Sequence, residues 1–412
     1  MQVNGFVAPG FDSVRAVVEA VPQPWGRGGG GISAYVRGEL VVDLWGGVAS
    51  PGTPWAADTL APIASISKGW SACVVHRLVE QGLLDFTTPL CAWWPELTGH
   101  GKETITLREV FLHSNGLLGF PGQLELLDGK GFGENWGDYD AIAAALAQAR
   151  PVWEPGSRHG YHAVSFGWLV QEVVRRVTGR TVGDLFRTDF AEPLGLDSHL
   201  GSLGADYDRV AQAIGADPGA GPLVQRLLLG RLAKHTVDPS TEAGLALLAD
   251  GRTSILERAP QYLATRAWME AEVPASNGVT TARSLAKLFA ALAAGGTLDG
   301  VTVLQPASVD LMHHVQLRIT DSVMGAALPG LVRRMAAPSA FGSYGLMPND
   351  TTKKKPPLGP NPAAFASGGF GGQLVQGDPT AQISLASTCT DFTPGLDGII
   401  GKVRTALYAA AG

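Results

Sequence analysis

The sequence has 412 residues, 45% of them hydrophobic and 17% charged, which is typical of a globular protein with a large core and argues against extensive disorder. Its formal net charge of −6 gives no reason to expect nucleic acid or an anionic membrane as a partner. No apolar run of about twenty residues exists and the start lacks the pattern of a secretory signal, so we predict a cytoplasmic protein without a membrane span.

The first part of the chain predicts a helix followed by a hairpin. Valines at roughly helical spacing indicate one short helix between Gly5 and Ala20. After a run of four glycines, the β-rich segments 32–36 and 40–45 flank Arg37-Gly38-Glu39. That combination predicts two antiparallel strands joined by a tight turn.

The middle of the chain is mainly helical and the end is β-like again. Helical patterns recur up to about Ala294, at residues 64–82, 139–149, 166–178, 182–190 and 282–294. Strands at 372–376 and 382–388 flank a turn, and a last helix at 396–411 follows. The polar, lysine- and proline-rich segment 348–357 cannot pack in a core, so we expect an exposed mobile loop there.

β-rich segments at both ends with helices between them predict an α+β architecture. We expect residues 1–75 and 295–412 to form one α/β domain, in which the two ends of the chain pair in an antiparallel sheet flanked by terminal helices. Residues 76–294 then form an inserted, mainly helical domain. The active site is expected between the two domains.

Ser65 and Lys68 are the first candidates for chemistry. They stand three residues apart at the start of a predicted helix, where side chains at that spacing share a face. A serine hydroxyl needs a base to become a nucleophile, and a lysine can serve when burial lowers its pKa. The backbone N–H of Ser65 also points outward at a helix start, ready to donate to an oxyanion.

The segment 58–68, DTLAPIASISK, resembles the nucleophile motif of class C β-lactamases and of the related family VIII carboxylesterases, a family with transacylase relatives. Residues 81–85 (QGLLD) and 105–117 (ITLREVFLHSNGL) are similar to its usual continuation. The resemblance extends from about Gly5 to Pro379. It implies a β-lactamase/transpeptidase-like fold, with Ser65 as nucleophile and Lys68 as its base.

The segment 154–163, EPGSRHGYHA, is similar to the part of the family that carries a tyrosine facing the nucleophile. The resemblance assigns that place to Tyr161 as a second proton-transfer group. Ala163 stands where relatives often have an asparagine that holds a β-lactam amide, which favours an esterase-like or acyltransferase-like member. We also predict that Ala163 and His162 contribute to substrate binding.

The segment 365–372, FASGGFGG, resembles the strand that edges the active site in this family. Ser367 replaces the Lys, His or Trp of relatives, which removes a group that would help to hold a substrate carboxylate. Gly368 and Gly369 let the substrate approach the backbone closely. The resemblance implies that the N–H of Phe370 is the second oxyanion donor.

The histidines form no H-E-x-x-H or H-x-H-x-D set, so we expect no metal and no cofactor. Cys73, Cys91 and Cys389 are scattered without a C-x-x-C spacing, which fits small apolar fillers in a reduced setting. The absence of a G-x-S-x-G motif argues against an α/β-hydrolase.

These residues together predict a serine acyl-transfer enzyme that forms an acyl-enzyme on Ser65. Carboxylesterase activity on a small-molecule ester is the leading interpretation. A transacylase of secondary metabolism, which passes the acyl group of an ester or amide to an amine or alcohol, is the alternative. A β-lactamase or D-amino-acid peptidase comes third, and a non-catalytic binding protein that keeps the fold comes last.

Overall fold

The computed structural model of the protein describes residues 1–129, 133–215, 236–319, 321–323, 339–341, 343–393 and 398–412. Within these residues, no helix combines the length and the apolar character needed to cross a bilayer.

In the described part of the chain, seven strands from both ends of the sequence form one antiparallel sheet. Their order across the sheet is Val3–Val7, Glu39–Gly46, Gly30–Val36, Ile383–Cys389, Gln373–Asp378, Phe365–Gly369 and Met347–Pro348. The two ends of the chain meet where Ile383 lies opposite Val36 and Cys389 lies opposite Gly30. The predicted α+β fold with a shared antiparallel sheet is therefore confirmed.

The start of the chain differs from the prediction. Residues Val3–Val7 form an edge strand that pairs with Glu39–Gly46, and the helix begins only at Asp12 and ends at Glu19. The valine stripe that predicted the helix starts at Val14, so it carried no information on the residues before it. The hairpin that follows is as predicted.

Two helices from the ends of the chain, Asp12–Glu19 and Gly398–Ala411, cover one face of the sheet. Their apolar residues pack with inward-facing strand residues in one cluster, which includes Val14, Val403 and Leu385. The last helix is predicted from Leu396; Leu396 and Asp397 lie outside the described residues.

The helix Ala282–Ala293 packs on the sheet rather than within the helical part of the molecule. Ser384 Oγ donates to Ala286 O at 2.8 Å, and the guanidinium of Arg283 pairs with Asp43 at 2.7 Å. The division of the chain into domains stays a prediction. It assigns this helix to residues 76–294, although the helix packs on the sheet.

The remaining helices pack around a large apolar cluster that holds most of the buried aromatic residues. They are Ser67–Glu80, Leu107–Phe111, Gln123–Asp128, Tyr139–Gln148, Ser165–Thr178, Val182–Phe186, Glu192–Leu194, Ile255–Leu263, Arg266–Glu270 and Pro306–His313. The helix Glu242–Ala246 packs instead in a smaller cluster with Trp153 and Val323. A helix predicted at 182–190 is interrupted, because Arg187–Ala191 forms a π-helical turn.

Short helical turns and small strands complete the fold. The 3₁₀ turns are Ala64–Ile66, Leu90–Ala92, Lys102–Thr104 and Gly204–Arg209. The small strand groups are Ala61–Pro62 with Gly278–Thr280 and Ser198–Leu200, Val48–Ser50 with Thr53–Pro54, Thr297–Leu298 with Val301–Thr302, and Leu317–Ile319 with Ser339–Phe341.

The segment 348–357 is exposed only in part. Residues 351–355 are exposed, as expected, but Asn349 and Asp350 are buried. The side chain of Asn349 donates to the carbonyl oxygens of Gly359 and Asn361 at 2.8 and 2.9 Å. The amide therefore closes the loop onto itself, and the prediction that this segment cannot pack is wrong for its first residues.

Candidate active site

Ser65 lies on a sharp bend directly before a long helix. Ala64 has a φ of 46°, in the left-handed region that alanine rarely adopts, so the backbone is strained at this point. Ser67 holds the bend in place: its hydroxyl donates to Ala64 O at 2.6 Å and accepts from Gly278 N–H at 2.9 Å. The 3₁₀ turn Ala64–Ile66 then leads into the helix Ser67–Glu80.

Lys68 follows one turn later, and its amine is buried beside Ser65. The side chain is 7% exposed. Its Nζ lies 3.3 Å from Ser65 Oγ, 2.7 Å from Ala163 O and 2.9 Å from Ala275 O. The contact between Ser65 and Lys68 is the one that the helical spacing predicted.

Burial lowers the pKa of Lys68 below its ordinary 10.5, although Tyr161 acts in the opposite direction through its charge and a hydrogen bond. A neutral amine has two N–H bonds and one lone pair. Because the carbonyl oxygens of Ala163 and Ala275 can only accept, they take both N–H bonds. Once it has lost its proton, the amine would have its lone pair left for the hydroxyl of Ser65, as a general base requires, whereas in the structure it donates to Ser65 Oγ.

Tyr161 lies on the other side of the amine. Lys68 Nζ is 4.9 Å from the centroid of the Tyr161 ring, and the ring of His113 packs on that ring with centroids also 4.9 Å apart. The backbone N–H of Tyr161 donates to Asp321 Oδ2 at 3.0 Å. The structure thus brings Ser65, Lys68 and Tyr161 together at one cavity.

Among the described residues, four polar side chains at this cavity were not predicted as site residues: Asp321, His113, His159 and Ser343. His159 is buried, donates from Nδ1 to Leu112 O at 2.6 Å, and has Nε2 3.7 Å from Asp321 Oδ2. Burial and the nearby His162, His159 and Lys68 hold the pKa of His113 well below its usual range. No motif contains Asp321, so sequence reasoning offered no signal for it.

His162 and Ala163 do not line the cavity, and their role in substrate binding stays a prediction. His162 is fully buried, with Nδ1 2.6 Å from Gly160 O and Nε2 3.1 Å from Asn115 Oδ1. Ala163 contributes its carbonyl oxygen to the Lys68 amine. In an irregular segment successive side chains point in unrelated directions, so adjacency to Tyr161 does not tell which side chains line the cavity.

The strand Phe365–Gly369 forms a further wall of the cavity through Ser367 and Gly368. Gly369 does not line the cavity; a Cβ on it would lie 2.4 Å from Ile63 O. The glycine at 369 is therefore needed for close packing against the nucleophile bend, and its role in substrate approach stays a prediction. Phe370 follows this strand directly, and its N–H as second oxyanion donor stays a prediction.

The cavity has a volume of about 140 Å³ and a lining of both polar and apolar residues. The described apolar and small residues that line it are Phe111, Phe166, Leu346, Met347, Pro348 and Gly345. In the part of the chain that the structure describes, no three His, Cys, Asp or Glu side chains are grouped as metal ligands.

The sequence matches the family described as Beta-lactamase over residues 14–410. The chain therefore belongs to this family of serine hydrolases and has the β-lactamase/transpeptidase-like fold that the resemblance implied.

Among curated proteins it is similar to the esterase/beta-lactamase LipL of Mycobacterium tuberculosis (strain ATCC 25618 / H37Rv). The two are 33% identical over 400 residues, which cover 93% of this chain and 82% of LipL. Among solved structures it is similar to a penicillin-binding protein homologue from Caulobacter crescentus, at 31% identity and a TM-score of 0.80, with 100% of both chains covered. It is also similar to a family VIII carboxylesterase, at 28% identity and a TM-score of 0.78, again with 100% of both chains covered.

Proposed function

We propose that the protein is a serine carboxylesterase in which Ser65 forms the acyl-enzyme. The observation that carries this proposal is the Lys68 amine: two carbonyl oxygens hold it, its pKa is lowered by burial, and it lies 3.3 Å from Ser65 Oγ. These contacts support Lys68 as the base that takes the proton of Ser65.

The first half of the reaction forms the acyl-enzyme. Ser65 Oγ attacks the ester carbonyl carbon while its proton passes to Lys68 Nζ, and the carbonyl oxygen becomes an oxyanion that the N–H groups of Ser65 and Phe370 stabilise. The bond to the alcohol oxygen then breaks. Tyr161 donates its proton to that oxygen and receives one from the Lys68 ammonium, which returns the amine to its neutral form.

The second half releases the acid. Water attacks the acyl carbon, and its proton passes through Tyr161 to Lys68. The oxyanion collapses, the bond to Ser65 Oγ breaks, and Lys68 returns the proton to the serine. The balance of the reaction is one ester and one water converted to one acid and one alcohol, without a cofactor.

An uncharged ester suits the cavity better than a penicillin or a peptide carboxylate. Ser367 supplies no cation at the position where relatives carry Lys or His, and Ala163 supplies no amide for a β-lactam. The similarity to LipL and to a family VIII carboxylesterase supports ester hydrolysis as the reaction.

The test is the intact mass of the protein after brief exposure to a fluorophosphonate, and separately to p-nitrophenyl butyrate. We expect a fluorophosphonate adduct and ester turnover in wild type and in Ser240→Ala, which removes an exposed serine. Ser65→Ala should form no adduct and lose at least about 10³-fold in kcat/KM. An adduct that persists in Ser65→Ala would refute the proposal.

The acyl acceptor is measured in the same assay. If added amines or alcohols shorten the lifetime of the butyryl-enzyme and appear in the product, the enzyme is a transacylase rather than an esterase. Turnover of a penicillin at a rate similar to that of the ester would instead indicate a β-lactamase.

A further inference from the structure

Tyr161 belongs to a stretch without regular structure. Residues 158–162 form neither helix nor strand, so their backbone groups need partners from elsewhere in the chain. Gly160 N–H donates to His113 O at 3.0 Å on one side. On the other side lies the short segment 321–323, far away in the sequence.

Asp321 provides the central contacts of that segment. Its Oδ2 accepts from the backbone N–H of Tyr161 at 3.0 Å, and its Oδ1 accepts from the backbone N–H of Val323 at 2.8 Å. One carboxylate therefore joins the tyrosine backbone to a second part of the chain. Hydrogen bonds from N–H groups to an ionised carboxylate are stronger than those between neutral groups.

Ser322 and Val323 fix the same stretch from the next positions. Ser322 donates to His159 O twice, from its N–H at 2.9 Å and from its hydroxyl at 2.7 Å. Gly160 packs so closely on Val323 that a Cβ would lie 2.4 Å from Val323 Cγ2. The two segments thus hold each other in one arrangement.

We infer that Asp321 is a positioning residue for Tyr161. It sets where the backbone of the tyrosine lies and so the distance from the phenol to the Lys68 amine and to the leaving group. This inference rests on the proposed function, because the phenol matters as a proton donor only if an alcohol has to leave. A misplacement of about 1 Å in such a group is able to cost 10²-fold in rate.

Leaving-group dependence separates this role from a merely structural one. A p-nitrophenolate leaves without a proton, whereas an alkoxide from an ethyl ester needs one from Tyr161. If Asp321 positions Tyr161, loss of the carboxylate slows the ethyl ester far more than the p-nitrophenyl ester. General disorder at the site would slow both to the same extent.

The experiment compares ethyl butyrate with p-nitrophenyl butyrate in wild type, Tyr161→Phe, Asp321→Ala and Asp321→Asn. Deacylation of the butyryl-enzyme is common to both esters and also uses Tyr161, so the esters are compared by kcat/KM, which reports acylation. We expect Asp321→Ala to lower kcat/KM for the ethyl ester by about 10-fold to 10²-fold, with less than about 3-fold change in kcat/KM for the nitrophenyl ester. Asp321→Asn, which keeps one acceptor oxygen, should fall between. The matched control is Asp310→Ala, whose carboxylate is 83% exposed.

Equal losses on both esters in Asp321→Ala, or no loss on either, overturn the inference while the proposed function stands. A wild-type enzyme that hydrolyses neither ester overturns both. If Asp321→Ala does not fold, the ratio of the two ester rates in Asp321→Asn decides: a ratio equal to that of wild type refutes the positioning role.

Discussion

The Ser65 wall of the cleft, residues 61–80, is one continuous piece of chain, whereas the Tyr161 wall is assembled from residues 112–115, 159–163 and 321–323. In the first wall the functional side chains meet through helical spacing within three residues. In the second wall they are held by hydrogen bonds between segments as much as 163 residues apart.

This difference separates two ways of holding a reactive group. The Ser65 wall draws its order from the hydrogen bonds of a helix that is buried on nearly every side, with further bonds from Ser67 and Lys68 to distant backbone groups. The Tyr161 wall contains no helix or strand whose own hydrogen bonds would order it. It depends on side chains that accept hydrogen bonds from its backbone N–H groups, as Asp321 does for Tyr161. We therefore expect substitutions of Ser65, Lys68 and Tyr161 to affect chemistry directly, and those of the other residues in the Tyr161 wall to act through the position of the tyrosine.

The largest effect is expected for Lys68→Ala. Loss of the base should reduce kcat/KM by about 10³-fold, within the range known for general bases. The chain offers a matched control in Lys102, a second buried lysine whose amine donates to Ala147 O and Ala149 O and whose pKa burial also lowers.

Both variants remove a buried lysine, so both should lower the thermal midpoint. Lys102→Ala should keep the activity per folded molecule near that of wild type, whereas Lys68→Ala should not. A similar activity in the two variants, measured by active-site titration and ester turnover, would contradict the assignment of Lys68 as base.

A smaller effect is expected for Gly160→Ala in the Tyr161 wall. The new Cβ would lie 2.4 Å from Val323 Cγ2 and 2.8 Å from Trp153 Cη2. The segments 158–162 and 321–323 would therefore have to move apart. Such overpacking costs about 1–3 kcal/mol in free energy of unfolding, and we expect a loss of about 10-fold in kcat for an alkyl ester.

The control for Gly160→Ala is Gly401→Ala, where a Cβ meets nothing within 4 Å in the helix Gly398–Ala411. An alanine in a helix interior is more stable than a glycine by about 0.5–1 kcal/mol, so this variant should gain stability and keep its activity. Urea unfolding and steady-state kinetics of both variants test the pair. Full activity in Gly160→Ala would show that the segment 321–323 does not fix the tyrosine.

Sequence patterns predicted the Ser65 wall well because the residues that form it are close together in the sequence. The apolar face of the helix and the spacing of Ser65 and Lys68 are both readable within one turn. The pairing of the two ends in one sheet was also predictable, since strands at the ends and helices between them leave few other arrangements. The edge strand Val3–Val7 was missed because the predicted helix was extended toward the N-terminus, past the first valine of the stripe that follows the strand.

The Tyr161 wall was predictable only in part. The family resemblance gave Tyr161 its place, but nothing in the segment shows that His162 turns inward to Gly160 and Asn115. Asp321 stands 160 residues from its partner, and the partner is a backbone N–H, which leaves no trace in the sequence. Contacts of side chains with distant backbone groups are invisible until the fold is known.

The smallest expected effect is the loss of folding stability at low pH that the buried His162 of the Tyr161 wall causes. Burial, together with the charges of His159 and Lys68, lowers the pKa of His162 to about 3 despite its hydrogen bond to Gly160 O. In the unfolded chain an ordinary histidine titrates at about 6.5. Between these two values the unfolded state binds a proton that the folded state does not, so stability falls as the pH drops from 6.5 toward 3 and levels off below 3.

When the pH falls from 7 to 5, each such histidine should lower the free energy of unfolding by about 2 kcal/mol. His162→Gln should remove that share of the pH dependence, and the exposed His100 supplies the control variant His100→Gln. Part of the acid sensitivity should remain, because burial also lowers the pKa of His76 in the Ser65 wall, to about 4.

Urea unfolding at the two pH values measures the difference. An unchanged pH dependence in His162→Gln would mean that the imidazole already carries its second proton in the folded protein. In that case both of its ring nitrogens would donate, to Gly160 O and to Asn115 Oδ1, and the Tyr161 wall would be held by a buried cation rather than by a neutral ring.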